Sequence, residues 1–137
     1  MTDKTLPITS AVLRLFKGVE FSDRTPNSYD DNEPDRVETT SLEDAEVVSS
    51  EIAGRPGCHL VLLDLDVPAH LVPSSTPGHS HLYIELPMSW ERYEALLAAL
   101  AAAGIVEPGY LQVSRKRRAT HLRLPWVKKA TAAPAAL

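Results

Sequence analysis

Two stretches in the middle of this chain alternate hydrophobic and polar positions with period two. In the first, Val61, Leu63, Leu65 and Val67 fall on one parity and Asp64 and Asp66 on the other. In the second, Leu82, Ile84 and Leu86 alternate with His79, His81, Tyr83 and Glu85. Successive side chains on a strand point to opposite faces, so each stretch predicts a strand with one apolar and one polar face. The intervening Ser74-Ser75-Thr76-Pro77-Gly78 reads as a linker whose Pro-Gly step permits a tight turn and a close backbone approach to a ligand. A helix follows. Ser89 caps it, Tyr93, Leu96, Leu97 and Leu100 form its apolar stripe, and Gly104 ends it. Beyond it, Tyr110 to Ser114 and Thr120 to Leu124 alternate again, predicting a hairpin around the basic turn Arg115-Lys116-Arg117-Arg118.

The first half is more polar. Thr9 or Ser10 can cap a short helix running to Lys17, with Val12, Leu15 and Phe16 on one face and Gly18 as its stop. Residues 23–36 hold almost no apolar side chain and predict a loop. Ser41-Leu42-Glu43-Asp44 resembles a capping box, which predicts a second helix to about Ala53 that buries Leu42, Ala45, Val48 and Ile52. The Ala/Pro/Thr-rich tail from Lys128 to Leu137 predicts disorder. These elements sum to an α+β fold: one domain over residues 1–127, a two-layer sandwich with helices on the apolar face of a largely antiparallel sheet.

Length and charge narrow the function classes. A chain of 137 residues suits one domain with a modest core. No apolar run approaches the ~20 residues of a membrane span, and the first residues lack the layout of a signal peptide. The lone cysteine, Cys58, cannot pair within the chain. It reads as a small buried residue in a reducing, cytoplasmic setting. The net charge of -4 conceals an asymmetry. Residues 1–66 carry 14 acids against 6 bases, and residues 67–137 carry 4 acids against 8 bases. The acidic balance argues against non-specific coating of DNA, while the basic cluster can meet phosphate locally.

The candidate chemistry lies on the polar parity. Asp64 and Asp66, two apart on a strand, would emerge roughly 6–7 Å apart and could reach one divalent ion, magnesium or manganese. Two neighbouring carboxylates also repel, which a cation would relieve; equally, they could simply solvate a strand end before Pro68. His79 and His81 share a face and could meet a phosphate, ligate a transition metal or act as acid or base near neutral pH. Their bland alternative is a pair of surface histidines. Arg123, between Leu122 and Leu124, would project beside His121, where a guanidinium could clamp phosphate or pair with Glu85. The run Arg115 to Arg118 reads as a solvated turn, and His59 and His70 as structural. The chain holds no dinucleotide or Walker loop, no HExxH, no Cys-rich zinc pattern and no nucleophile elbow.

Two resemblances extend this reading. Glu38-Thr39-Thr40-Ser41-Leu42-Glu43-Asp44-Ala45-Glu46 and the stretch from Pro68 to Ile84 resemble segments of small uncharacterised proteins of mycobacteriophages and related actinobacteriophages. That resemblance implies a phage protein acting in the host bacterial cytoplasm. Over about 60 residues, the order Asp-x-Asp strand, Ser/Thr-x-x-Gly-x-x-His strand, helix, strand is similar to the catalytic core of archaeo-eukaryotic primases and primase-polymerases, and this resemblance implies an RRM-like fold. It implies that Asp64 and Asp66 bind metal and that His81 contacts nucleotide phosphate. The family's third carboxylate has no clean counterpart, since the nearest acid after the helix is Glu107 and the following strand offers Gln112. The combined expectation is a small protein that binds a divalent metal and a nucleotide or nucleic-acid phosphate on an open sheet face. The alternative is a non-enzymatic interaction module that binds a host protein, as the acidic first half and the polar 23–36 stretch suggest.

Overall fold

The computed structural model describes residues 4–18 and 36–127. The loop expected over 23–36, apart from Arg36, and the tail over 128–137 lie outside the described residues. The elements are β1 (Leu13–Gly18), β2 (Arg36–Thr39), β3 (Val47–Ile52), β4 (Ala69–Pro73), β5 (Ser80–Ile84), α1 (Trp90–Ala102) and α2 (Pro108–Arg117). The fold is α+β and all strand pairings are antiparallel, as expected. The strands fall into two sheets, ordered β2-β1-β3 and β4-β5. The chain divides into two compact units, Met1–Asp64 and Leu65–Leu137.

In the first unit β1 is the central strand. Phe16 pairs with Glu38 on one side and Val47 on the other. Leu13 and Ile52 face each other in register, and both are buried. This corrects the helix expected from Thr9 or Ser10 to Lys17. A short run such as Leu13-Arg14-Leu15-Phe16 satisfies period two as well as helical spacing. Pairing on both edges decides in favour of the strand. The helix expected from Ser41 to Ala53 is also corrected. Its capping-box residues close a single turn, in which Ala45 N–H donates to the Ser41 carbonyl at 3.1 Å. The following Val47, Val48 and Ile52 are β-branched and pack better on a pleated surface than in a helix.

β3 is bulged. It takes four steps from Val48 to Ile52 while β1 takes two from Leu13 to Leu15. Ser49 supports the irregularity, its Oγ accepting from Glu51 N–H at 3.1 Å. A tight turn then folds the chain back along β3. Ile52 N–H donates to the Cys58 carbonyl, Leu60 N–H donates to the Ser50 carbonyl, and Glu51 bridges to His59. Cys58 is half-buried rather than buried. Across the sheet Arg14 grips Glu38 through Nε at 3.1 Å and Nη2 at 2.6 Å, and Glu51 through Nη1 at 2.9 Å. Its guanidinium also lies 5.1 Å from the Phe16 ring centre. Hydrogen bonding to Arg14 holds the Glu38 carboxyl below its ordinary range, and burial opposes that shift without cancelling it.

In the second unit α1 follows the sequence closely. Ser89 Oγ accepts from Arg92 N–H at 3.2 Å, Leu97 is buried, and Gly104 takes the left-handed conformation (φ 82°) that ends the helix without a side-chain clash. The hairpin expected over Tyr110 to Leu124 does not form, because residues 108–117 are helical. Pro108 starts α2 at a position where its missing N–H costs nothing, and Arg115, Lys116 and Arg117 suit the negative end of the helix dipole. No glycine, asparagine or proline stands between Ser114 and Thr120 to make a hairpin turn. Two ion pairs tie the helices, Arg115 to Glu94 at 3.1 Å and Arg118 to Glu91 at 3.2 Å. Tyr93 and Thr120 share a hydroxyl hydrogen bond of 2.5 Å. Among the described residues, no helix is long and apolar enough to cross a membrane.

Candidate functional site

The expected first strand, through Leu60 to Val67, is absent. Residues after Leu60 run irregularly, and Val61 and Leu63 stay 66% and 72% exposed, so their alternation finds no surface to bury against. The strand that does pair with β5 is β4, over residues for which the sequence pattern predicts no element. Its register matches Ala69 to Ile84, His70 to Tyr83, Leu71 to Leu82, Val72 to His81 and Pro73 to Ser80. The two strands are neighbours in sequence, so pairing them closes only a short loop. In that loop His79 N–H donates to the Thr76 carbonyl, the His79 carbonyl accepts from Ser74 N–H, and Gly78 supplies the positive φ of 80° that the turn needs.

The register sorts the hairpin into two faces. Ala69, Leu71, Leu82 and Ile84 share one. His70, Val72, His81 and Tyr83 share the other, and Glu85 extends it through its N–H bond to the Pro68 carbonyl. The polar parity of β5 expected from sequence is thus present, and β4 adds a histidine to it. His70 Nε2 lies 2.6 Å from a Glu85 carboxylate oxygen. His70 and Tyr83 are exposed and His81 is half-buried.

The other expected site residues are placed differently. Asp64 and Asp66 are exposed and lie on no strand, and the division of the chain falls between Asp64 and Leu65. Pro68 has no N–H to donate to a sheet ladder, and regular pairing starts only at Ala69. Arg123 lies in irregular chain after α2, so its alternation with Leu122 and Leu124 defines no sheet face. His121 lies in the same segment, and Gln112 is on α2. Among the described residues, no three His, Cys, Asp or Glu side chains gather in a way that could hold a metal ion.

His70 is the site residue that sequence reasoning missed. The signal was present: Ala69-His70-Leu71-Val72 alternates, and with Leu82-Tyr83-Ile84 it flanks a Ser-Ser-Thr-Pro-Gly turn. Arranged this way, the polar face offers imidazole and phenol groups able to donate hydrogen bonds to an anion, with flat ring faces beside them. Compared with known family models, with curated proteins and with solved structures, the chain matches none.

Proposed function

We propose that this protein binds a phosphate-bearing ligand, a nucleotide or nucleic acid, on the polar face of the β4–β5 hairpin. The observation that carries the reading is the register that sets His70, His81 and Tyr83 on one face, with His79 in the adjoining turn. His79 and His81 are the phosphate donors, and Arg123 is the candidate counter-charge in the same unit. Asp64 and Asp66 are the candidates for a magnesium or manganese ion. The short motif likeness of Asp64-x-Asp66 and of Ser75-x-x-Gly78-x-x-His81 to the primase core supports the same assignment, while of that core's element order only the histidine strand β5 and the helix α1 are kept. The likeness to actinobacteriophage segments bears on origin alone, and under this reading the protein is a phage protein acting in the host cytoplasm. No catalytic step is assigned.

A two-dimensional amide NMR titration tests this with magnesium, then manganese, then ATP. The expected result is shifts over residues 70–85, with manganese broadening around 64–66. Unchanged ATP binding after His81→Ala with His79→Ala would end the phosphate assignment. Unchanged manganese broadening after Asp64→Asn with Asp66→Asn would end the metal assignment.

A second reading is favoured by the opposite face, where Leu71 is 69% and Leu82 52% exposed. Exposed apolar pairs of this kind serve non-enzymatic protein contacts, and a host protein is the partner under that reading. A stoichiometric complex recovered from host lysate without added metal or nucleotide would select it over the first.

A further inference from the structure

We infer that the polar hairpin face is a base-stacking surface, and that its ligand is single-stranded nucleic acid rather than a free nucleotide. This rests on the phosphate-binding reading above and specifies its ligand. Tyr83 and His70 are directly opposed on neighbouring strands, and His81 follows on the same face of β5. Side chains directly opposed across a sheet have Cβ atoms about 4.5–5.5 Å apart, so His70 and Tyr83 rise side by side, with His81, opposite Val72, next along the same face. Glu85 holds His70 by a ring nitrogen, at the edge of the imidazole. An in-plane bond of that kind fixes the ring and leaves its face free to stack. Tyr83 is 39% exposed, which leaves its ring accessible to a base.

Charge complementarity points to the same occupant. The unit from Leu65 to Leu137 holds eight bases against five acids, Asp66, Glu85, Glu91, Glu94 and Glu107. Three of those acids are already engaged, by His70, Arg118 and Arg115. Arg92, Lys116, Arg117 and Arg123 make no ion pair among the described residues. Cations left over in the same unit, together with exposed rings, are what an extended strand of phosphates and unstacked bases requires. A duplex hides its base faces and has no use for the rings.

Fluorescence anisotropy of the full chain with labelled ten-nucleotide DNA and RNA strands, a ten-base-pair duplex and labelled ATP tests the inference. Single strands should bind at least tenfold more tightly than ATP or the duplex, with affinity falling as salt rises. Tyr83→Ala should weaken single-strand binding by about tenfold and Tyr83→Phe by less than twofold, since stacking needs the ring and not the hydroxyl. Ultraviolet crosslinking of the unmodified protein supplies a readout that no substitution can confound. The crosslinked peptide should contain residues 70–83. ATP binding without a single-strand preference, or crosslinks confined to other segments, would overturn the stacking surface while leaving the phosphate reading in place. No binding of ATP or of any strand would overturn both.

Discussion

His70 on β4 and Glu85 just beyond β5 meet at 2.6 Å, so the open end of the hairpin is closed by a polar clasp while its turn lies at the other end. Both side chains are more than half exposed, so water screens the pair. Glu85→Gln should therefore cost less than about 1 kcal/mol in urea unfolding. A larger loss would mean that the hairpin depends on this contact to stay paired.

Arg14 should matter more than its half-buried position suggests, because it joins all three strands of its sheet through Glu38 on β2 and Glu51 on β3. Arg14→Lys should lower the urea midpoint, since one ammonium cannot reproduce a planar fork bonded to two carboxylates. Arg14→Ala should lower it further.

The same contact predicts an acid limb to stability. Glu38 holds its proton less readily in the folded chain than its ordinary value of 4.5 implies. As pH falls, the unfolded chain takes up that proton first. The Glu38 contribution is thus complete above about pH 4.5 and is lost as pH drops through the depressed folded value. Urea midpoints measured from pH 3 to 7 should show this fall in the native sequence. The fall should be reduced in Arg14→Ala.

Tyr110 predicts a limb at the other extreme. Burial pushes its phenol above the ordinary value of 10.0, the bond to Thr120 pulls it down, and the nearby Tyr93 pushes it up. The folded chain keeps this proton longer than the unfolded chain, so its contribution is whole below pH 10.0 and lost as pH rises beyond it. A tyrosinate absorbance titration should show one phenol ionising late, and Tyr110→Phe should remove it.

Leu97, at 2% exposure, is the most buried apolar side chain among the described residues, which include only Leu13 and Ile52 as other buried apolar positions. Leu97→Ala should cost about 2–5 kcal/mol and lower the melting temperature. Circular dichroism melting would check this. Ser89→Ala, which removes only the cap of α1, should cost about 1 kcal/mol.

The elements legible in the sequence were those whose ends are chemically marked. α1 has Ser89 before it and Gly104 after it, and β5 alternates cleanly from His79 to Glu85. The α+β class and the polar side of β5 followed from these. The misread segments share a different trait, in that their local pattern fits two structures and a distant partner decides. Leu13-Arg14-Leu15-Phe16 became a strand because β2 and β3 flank it. Leu111 and Val113 alternate as if in a strand, yet Pro108 and the basic last turn favour a helix. The Asp64–Asp66 alternation has no strand partner, a fact that spacing within one segment cannot reveal.

The order of pairings along the chain bears on how it is made. In the second unit the paired elements are consecutive in sequence, β4 with β5 and α1 with α2. In the first unit β1 must bridge residues 19–35 to reach β2 before the sheet is complete. Nearby contacts form sooner than those that first close a long loop. The second unit is therefore able to organise within itself, while β1 waits for β2 and β3 to arrive.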